Sequence, residues 1–295
     1  MHGAININKP LSLIDRLTTL LVMSDYSVDL LKQNALSIRR SIITMLAAAK
    51  SGHSGGALGM ADVFTALYFH VMRQDPSQPD DPARDRLLLS NGHICPVWYA
   101  TLAEAGYFPK QELFTLRRLH SRLQGHPHLG SAPGIENTSG PLAQGLSQAC
   151  GVALAFKMDS LPNRVFCLMS DGELEEGQNW EALMLAGKYK LTNLTILIDR
   201  NNIQIDGFIN EVMPLEPLRA KIESFNWHVV DVDGHDFKQV IHACEATTTT
   251  EYPTVIICRT IPGKGVDFME NKYEWHGKPP TAEQAEEALE QLKES

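Results

Sequence analysis

Cysteine is scarce in this sequence of 295 residues, and its five copies are scattered. No two of them form a Cys-x-x-Cys pair, which argues against a disulfide framework and against a zinc ribbon. We expect all five to be small buried hydrophobic residues in a protein of the reducing cytoplasm. They are Cys95, Cys150, Cys167, Cys244 and Cys258.

Long apolar runs and a surplus of basic residues are also missing. No run approaches the roughly 18 apolar residues that a membrane span needs, and residues 1–10 lack the pattern of a secretory signal. Lysine and arginine total 26 against 35 aspartates and glutamates, a net charge of -9 at pH 7. We therefore expect neither a membrane nor a nucleic-acid partner. Anionic small molecules remain open, because helix N-termini, histidines or a metal ion can bind them.

Apolar runs of strand length predict the fold class. Hydrophobic residues make up 43% of the chain, enough for a substantial core. A helix over residues 178–190 separates two of the runs, and a strand, a helix and a strand in succession form a parallel βαβ unit. Several such units predict an α/β fold with a doubly wound, mostly parallel sheet flanked by helices. The predicted strands are residues 86–90, 165–169, 194–198, 229–232 and 254–258.

Helical spacing of apolar residues predicts the remaining elements. Residues 120–141 are rich in Gly, Pro and His, and we interpret them as an ordered binding loop. Thr281 and Gln284 have the spacing of a capping box at the start of a last helix. The predicted helices are residues 28–50, 60–72, 142–157 and 178–190, with the last one over 281–295.

Polar residues follow two of the predicted strands where each one ends. Asp171 and Gly172 come after one strand, and Asn201 with Asn202 after the next. The carboxyl ends of neighbouring parallel strands share one edge of a sheet, so these residues should meet. Carboxylate, amide and carbonyl oxygens suit Mg²⁺, while Gly172 and the N-terminus of the following helix suit a diphosphate. Alternatively, Asp171 only caps that helix, and Asn201 and Asn202 form a turn.

The same residues resemble a known motif. Asp-Gly-Glu-Leu-Glu-Glu-Gly at 171–177, followed by Asn-Asn-Ile-Gln-Ile-Asp-Gly at 201–207, looks like the thiamin diphosphate motif, with Ser170 in place of its first glycine. Among enzymes with this motif, the chain resembles the N-terminal part of transketolase over nearly its whole length. Further segments carry the resemblance: Ser-Gly-His-Ser-Gly at 51–55, Leu-Ser-Asn-Gly-His at 89–93, Gly-His-Pro at 125–127, Thr-Ser-Gly-Pro-Leu-Ala-Gln-Gly at 138–145, and Trp-His-Gly-Lys-Pro at 275–279.

The resemblance implies two cofactors. These are thiamin diphosphate and Mg²⁺, or another divalent cation such as Ca²⁺ or Mn²⁺. The metal ligands would be the side chains of Asp171 and Asn201 and the backbone carbonyl of Ile203. Asp171, Gly172, Glu173 and Asn201 would also belong to the diphosphate site. Ser170 keeps its backbone N–H, so we expect the diphosphate contact to survive the departure from glycine.

The resemblance also implies roles for four histidines. His53 and His276 would serve proton transfers at the hydroxyls of the donor and acceptor sugars, and His276 would also lie at the cofactor. His93 would contact the diphosphate, and His126 would hydrogen-bond the C1 hydroxyl of the donor. Imidazole suits this chemistry because it donates, accepts and changes charge near neutral pH.

Two further matches each have an alternative interpretation. Gly140, Pro141 and Leu142 match the loop beside the aminopyrimidine of the cofactor, and equally the start of a helix with proline in its first turn. Glu176 matches an acidic residue that, in the family, joins a relay between the two cofactors of a dimer. A solvated glutamate at a helix N-terminus explains Glu176 as well.

The resemblance finally implies a partner. In transketolases the glutamate for the aminopyrimidine, its aromatic pocket and the sugar phosphate arginines lie in two later domains, which we do not find after Lys278. We expect residues 1–27 to be an extension, 28–280 the diphosphate-binding domain and 281–295 a terminal helix. A separate C-terminal transketolase subunit, with the pyrimidine-binding and C-terminal domains, would complete a heterotetramer of two copies of each chain.

The expected reaction is transfer of a two-carbon ketol unit from a ketose phosphate to an aldose phosphate. One alternative is the alpha-type subunit of a 2-oxo-acid dehydrogenase or a deoxyxylulose phosphate synthase. Another is a non-catalytic regulatory subunit, and a third is a generic Mg²⁺–nucleotide binder without a P-loop.

Overall fold

The computed structural model describes residues 27–205 and 207–293, and its centre is a five-stranded parallel sheet. The strands are β1 Arg86–Leu89, β2 Val165–Ser170, β3 Leu194–Arg200, β4 Ile203–Gln204, β5 Gly207–Phe208, β6 His228–Asp233 and β7 Thr254–Arg259. The order across the sheet is β1-β2-β3-β7-β6, while β4 and β5 form a separate short hairpin. The predicted parallel α/β fold and all five predicted strands are confirmed.

Helices cover the sheet on both faces. The longest, α1 (Val28–Ala49), begins where the Ser27 side chain accepts a hydrogen bond from the Leu30 N–H, and it ends before Lys50, which is in the left-handed region. Its apolar residues at helical spacing are buried, namely Leu31, Ala35, Ile38, Ile42 and Leu46. The helices are α1 Val28–Ala49, α2 Gly55–Gly59, α3 Ala61–Ala66, α4 Cys95–Ala105, α5 Gln144–Met158, α6 Gly177–Lys188, α7 Ile209–Val212, α8 Leu218–Glu223, α9 Phe237–Ala246 and α10 Ala282–Gln291.

The sheet has a separate hydrophobic core on each face, and alternate residues of a strand belong to different cores because successive side chains point to opposite faces. Leu87 and Leu89 belong to one core, which is completed by α1, α3, α4, α9 and α10. Leu88 belongs to the other, which is completed by α5, α6 and α8. The strands are buried on both sides, which explains why they appear in the sequence as continuous apolar runs.

The direction of the chain across the sheet reverses between β3 and β7. From β1 to β3 it moves one way, with α5 and α6 on one face; from β6 to β7 it moves the other way, with α9 on the opposite face. Right-handed crossovers in opposite directions produce this placement. In open parallel sheets, ligands bind beyond the carboxyl ends of the strands at such a reversal. The fold therefore points to the ends of β2, β3 and β7.

Two predicted helix starts are wrong. The helix expected over 60–72 begins earlier, as α2, and continues past Met60 through α3 into a π-helical turn at Leu67–Val71. Gly59 fits there because a Cβ would lie 3.0 Å from the carbonyl oxygen of Ile261. The helix expected from residue 142 begins at Gln144, because Ala143 has a left-handed φ of 68°. Pro141 consequently lies outside its first turn.

The last helix packs into the first core. Thr281 and Gln284 form the predicted capping box, with hydrogen bonds of 3.2 and 3.0 Å. Arg40 of α1 donates to the carbonyls of Leu289 and Leu292 at 2.9 and 2.7 Å, which fastens α10 to α1.

Some of the predictions fall outside the described residues. The predicted extension over 1–27 does so except for Ser27, as do Asp206 of the motif and residues 294–295. No helix within 27–205 or 207–293 is long and apolar enough to cross a membrane.

Candidate active site

The two polar strand ends meet, as predicted from their order. Asp171 is fully buried, and its carboxylate accepts hydrogen bonds from the backbone N–H of Gly172 at 2.9 Å and of Asn202 at 2.7 Å. Arg200 adds an ion pair at 3.0 Å. Burial raises the pKa of Asp171 to about 6, and the opposing charge of Arg200 limits the rise. One carboxylate thus fixes both halves of the motif.

Asn201 is oriented by a second carboxylate. Its side-chain NH₂ donates to Asp199 at 2.8 Å, and its side-chain oxygen accepts from the Ile203 N–H at 2.9 Å. Asp199 also accepts from the hydroxyl of Thr260, at the end of β7. Burial raises the pKa of Asp199 to about 7. The ends of β3 and β7 are therefore joined beneath the predicted metal ligands.

The donor set fits a hard divalent cation. A Cβ on Gly172 would lie 3.6 Å from the Ile203 carbonyl oxygen, which places this carbonyl next to the turn that begins at Asp171. Carboxylate, amide and carbonyl oxygens are the ligands that Mg²⁺ and Ca²⁺ prefer. Within the described residues no group of three or more His, Cys, Asp or Glu side chains could hold a metal ion.

Both alternative interpretations of the motif also describe real contacts. Asp171 caps a 3-10 turn at Gly172–Glu175, and Asn202 occupies a left-handed turn with φ of 61°. The helix predicted over residues 178–190 starts at Gly177, so the 3-10 turn separates it from Gly172. Capping and ligand binding do not exclude each other at this position.

Glu173, predicted at the cofactor, lies fully buried at the centre of an internal network. One of its carboxylate oxygens accepts from the Ser90 hydroxyl at 2.5 Å and from the Ala143 N–H at 2.6 Å. The other accepts from the Ser170 N–H at 3.3 Å. Burial raises its pKa to about 7. Its hydrogen bonds join the end of β1, the start of α5 and the end of β2.

Three of the predicted histidines form one cluster. The ring centroids of His53 and His93 are 5.1 Å apart, those of His93 and His276 5.0 Å, and those of His53 and His276 5.5 Å. These residues come from three separate loops, which the sequence spreads over more than 220 positions. His126 lies near enough to act electrostatically on His53 and His93.

Glycines let these loops approach one another. A Cβ on Gly92, which precedes His93, would lie 2.3 Å from the Ser139 hydroxyl oxygen, closer than a Cβ can approach. A Cβ on Gly55 would lie 3.2 Å from the carbonyl oxygen of Trp275. Gly92 and Gly55 thus allow the segments that carry the histidines to pack closely.

All four histidines are held in the neutral form at pH 7. Burial lowers the pKa of His53 to about 4, with further repulsion from His276, Arg117 and His126. Burial also lowers the pKa of His93 and of His276, and burial followed by Arg117 lowers that of His126. Neutral imidazoles can accept a proton at one nitrogen and donate at the other.

Buried polar atoms without a protein partner surround the cluster. Asn91 is fully buried, yet neither its NH₂ nor its oxygen has a partner among the described residues. The same holds for His53 Nδ1 and the Ser139 hydroxyl. Buried polar groups are normally satisfied, so these atoms indicate a polar ligand. They fit the diphosphate and sugar hydroxyls that the resemblance implies.

Two predicted positions lie apart from the cluster. Glu176 is exposed at the start of α6, and Pro141 is exposed in the loop before α5. Leu142 is partly buried beside it. These placements leave the cofactor role of Pro141 and the relay role of Glu176 as predictions.

Sequence reasoning missed several residues that shape the site. Asp199 stands at the strand end just before the second half of the motif, but the motif assigns no role to it. Thr260 follows β7, and the strand order that brings it to Asp199 was not predicted. Arg117 lies in a loop without any motif, and no local signal marks it.

The chain belongs to the transketolase family: residues 31–293 match the family described as "Transketolase, thiamine diphosphate binding domain". The expectation of an N-terminal transketolase subunit is thereby confirmed, and the family match disfavours the 2-oxo-acid dehydrogenase alternative. Two similar proteins are named as subunits of transketolases. The chain is 42% identical to the 6-deoxy-6-sulfo-D-fructose transketolase subunit SqwG of Clostridium sp. (strain MSTE9), covering 92% of this chain and 98% of that one. It is 39% identical to one subunit of the apulose-4-phosphate transketolase of Actinobacillus succinogenes, with coverages of 90% and 97%.

Longer relatives are matched only in part. Human transketolase is 38% identical over 89% of this chain and 42% of its own length. The crystal structure of transketolase from Campylobacter jejuni superposes with a TM-score of 0.86 at 33% identity, covering 90% of this chain and 43% of that one. The chain therefore spans about two fifths of the length of these transketolases.

Proposed function

We propose that this chain is the diphosphate-binding subunit of a two-chain transketolase that transfers a ketol unit from a ketose phosphate to an aldose phosphate. The observation that carries the proposal is the clustering of the motif histidines His53, His93 and His276, which come from three separate parts of the chain. The hydrogen bond from Ser90 to Glu173 joins the segment before His93 to the strand end that carries Asp171. When bound, thiamine diphosphate supplies the carbon nucleophile that accepts and releases the two-carbon unit. The residues of this chain would position it and move protons.

Asp171, Asn201 and the Ile203 carbonyl would hold Mg²⁺, or Ca²⁺ or Mn²⁺ in its place, against the diphosphate. The buried anion then needs no basic patch, in agreement with the net charge of -9. His93 and Asn91 would donate to the diphosphate oxygens. Neutral imidazole and amide groups can do so without the cost of burying further charge.

Proton transfer would fall to the other histidines. His53 and His276 face each other edge to face and would exchange protons with the hydroxyl and carbonyl oxygens of the donor and acceptor sugars. His126 would hydrogen-bond the C1 hydroxyl of the donor. Their lowered pKa values keep them unprotonated at neutral pH, so a ring nitrogen is free to accept a proton.

The partner would supply the pyrimidine-binding and C-terminal domains, in an assembly of two plus two chains. A difference in coverage supports this assembly. The chain covers 98% and 97% of the length of two relatives that are named as subunits, but only 42% of the length of human transketolase. The exposed Glu176 and the loop at Gly140, Pro141 and Leu142 would then face the neighbouring chains and the aminopyrimidine. Those two relatives are named for anionic ketoses, so a ketose with a phosphate or sulfonate is the proposed donor class.

The test combines copurification with an activity assay. The chain is produced with and without the product of the adjacent reading frame, and ketol transfer is measured with fructose 6-phosphate, 6-deoxy-6-sulfofructose and apulose 4-phosphate as donors. Activity that requires both chains, Mg²⁺ and thiamine diphosphate supports the proposal. Asp171→Ala should abolish it, whereas Asp159→Ala, at an exposed aspartate, should not. Ketol transfer by this chain alone would contradict the two-chain proposal.

A further inference from the structure

Arg117 bridges two of the histidine loops. Its guanidinium donates to the Ser51 hydroxyl at 2.7 Å and to the Gly125 carbonyl at 3.2 Å. Ser51 lies two positions before His53, and Gly125 directly precedes His126. The planar guanidinium therefore joins the loop that carries His53 to the loop that carries His126. Arginine suits this role because its two terminal nitrogens can donate to two acceptors at once.

The backbone at Gly125 leaves room for this side chain. A Cβ on Gly125 would lie 2.9 Å from Arg117 Nε and 3.0 Å from its Cζ, so a larger residue there would displace the guanidinium. Arg117 itself has a left-handed φ of 60°, which is uncommon for a residue with a side chain, and its N–H donates to the Leu123 carbonyl at 2.9 Å. The loop is thus folded around the guanidinium.

The charge of Arg117 has no counter-ion in the described parts of the chain. Both of its side-chain hydrogen bonds go to neutral oxygens. The titratable and charged groups around His53 and His126 are His93, His276 and Arg117. Since the histidines are neutral at pH 7, Arg117 is the cation of this group.

We propose that Arg117 is a positioning residue, which ties the His53 loop to the His126 loop and places a fixed positive charge beside both imidazoles. The inference rests on the proposed function only for its catalytic consequence. The charge opposes protonation of the two histidines, and the hydrogen bonds set the distance between them. Both effects act through His53 and His126 rather than on a substrate.

The test measures the pKa values of the histidines directly and does not depend on enzymatic activity. NMR titration of the imidazole Cε1 protons is followed in the full-length chain, with assignment by His53→Gln and His126→Gln. Arg117→Met should move the midpoints of His53 and His126 upward, that of His53 from about 4. Arg117→Lys should retain the wild-type midpoints, and Arg118→Met, at the exposed neighbouring arginine, should change neither. Unchanged midpoints in Arg117→Met would overturn the proposal. If that variant does not fold, Arg117→Gln replaces it, with the same expected result.

A second measurement separates the hydrogen bonds from the charge. In the assembled enzyme, Arg117→Lys should lower kcat several-fold while the pH profile of kcat/KM stays in place, because lysine keeps the charge but lacks the fork. A kcat equal to wild type in both Arg117→Lys and Ser51→Ala would overturn the positioning role. An absence of ketol transfer in every variant, wild type included, would count against the proposed function and leave the NMR result standing.

Discussion

Asp199 sets the direction of the Asn201 side chain. Because the Asn201 NH₂ donates to the Asp199 carboxylate at 2.8 Å, the amide oxygen must face the opposite way, toward the Ile203 N–H and the proposed metal. Thr260 donates to the other oxygen of the same carboxylate. Asp199 thus controls which atom of Asn201 is presented, without itself being a proposed ligand.

Asp199→Asn should therefore weaken divalent cation binding. An asparagine cannot accept from both Thr260 and Asn201, so the orientation of the Asn201 amide is lost. Outer-shell changes of this kind cost about 10- to 100-fold in metal affinity. Mn²⁺ titration followed by electron paramagnetic resonance, with thiamine diphosphate present, measures the loss. Asp159→Asn serves as the control, and equal affinities in the two variants would refute the role given to Asp199.

Glu173→Gln should destabilise the chain. Three donors converge on the carboxylate, from Ser90, Ala143 and Ser170, and a glutamine offers one oxygen and an NH₂ that opposes a donor. A buried unsatisfied group costs about 1–3 kcal/mol, which is the decrease we expect in the free energy of unfolding. Urea denaturation measures it. Glu176→Gln, at an exposed position of α6, should stay within about 0.5 kcal/mol of wild type. Similar stabilities for the two variants would argue against the network.

Two glycines of α5 should respond in opposite directions to alanine. A Cβ on Gly145 would collide with the Ser90 backbone, at 2.5 Å from its Cα, whereas a Cβ on Gly151 would meet no atom within 4 Å. Gly145→Ala should cost about 1–3 kcal/mol through overpacking. Gly151→Ala should gain up to about 1 kcal/mol from helix propensity. Thermal unfolding of both variants measures these changes, and a loss of stability in Gly151→Ala would contradict the open space around this residue.

The four histidines of the candidate site should contribute less to stability as the pH is lowered below the ordinary histidine range. In the folded chain the pKa of His53 is lowered to about 4, and those of His93, His126 and His276 are lowered too, while unfolded histidines titrate near 6.5. Between these values the histidines bind more protons in the unfolded chain than in the folded chain, so their contribution to the free energy of unfolding rises with pH. The raised pKa values of Asp171, Glu173 and Asp199 contribute in the opposite direction, so the test compares slopes between variants. His53→Gln should flatten this rise in urea denaturation between pH 5 and 7, and His128→Gln, at an exposed histidine, should not. An unchanged slope in His53→Gln would contradict the lowered pKa.

The sequence predicted the sheet well because its strands are buried on both faces. Continuous apolar runs such as residues 165–169 and 194–198 have the length of a strand and indicate strands that are buried on both faces. The strand ends followed from the same argument, so the meeting of Asp171 and Asn201 was also predictable. The boundaries of α2 and α5 were not, since they depend on tertiary contacts of Gly59 and Ala143.

The histidines show where sequence reasoning ends. His53, His93 and His276 were singled out by motifs, but their mutual distances depend on how three loops pack. Arg117 belongs to no motif, and its role can be recognised only from its hydrogen bonds to Ser51 and Gly125 in the structure. The orientation of the Asn201 amide likewise depends on Asp199, whose contact with Thr260 crosses from one strand end to another.

The burial of all five thiols has a practical consequence. Burial raises the pKa of Cys95, Cys150 and Cys244 to about 12, and that of Cys167 and Cys258 well above its usual range, so none offers a thiolate near neutral pH. A cysteine introduced at an exposed position, such as Glu176→Cys, should then react alone with a maleimide dye. The native chain is thereby ready for site-specific fluorescence measurements of how it meets a partner, without prior removal of its own cysteines.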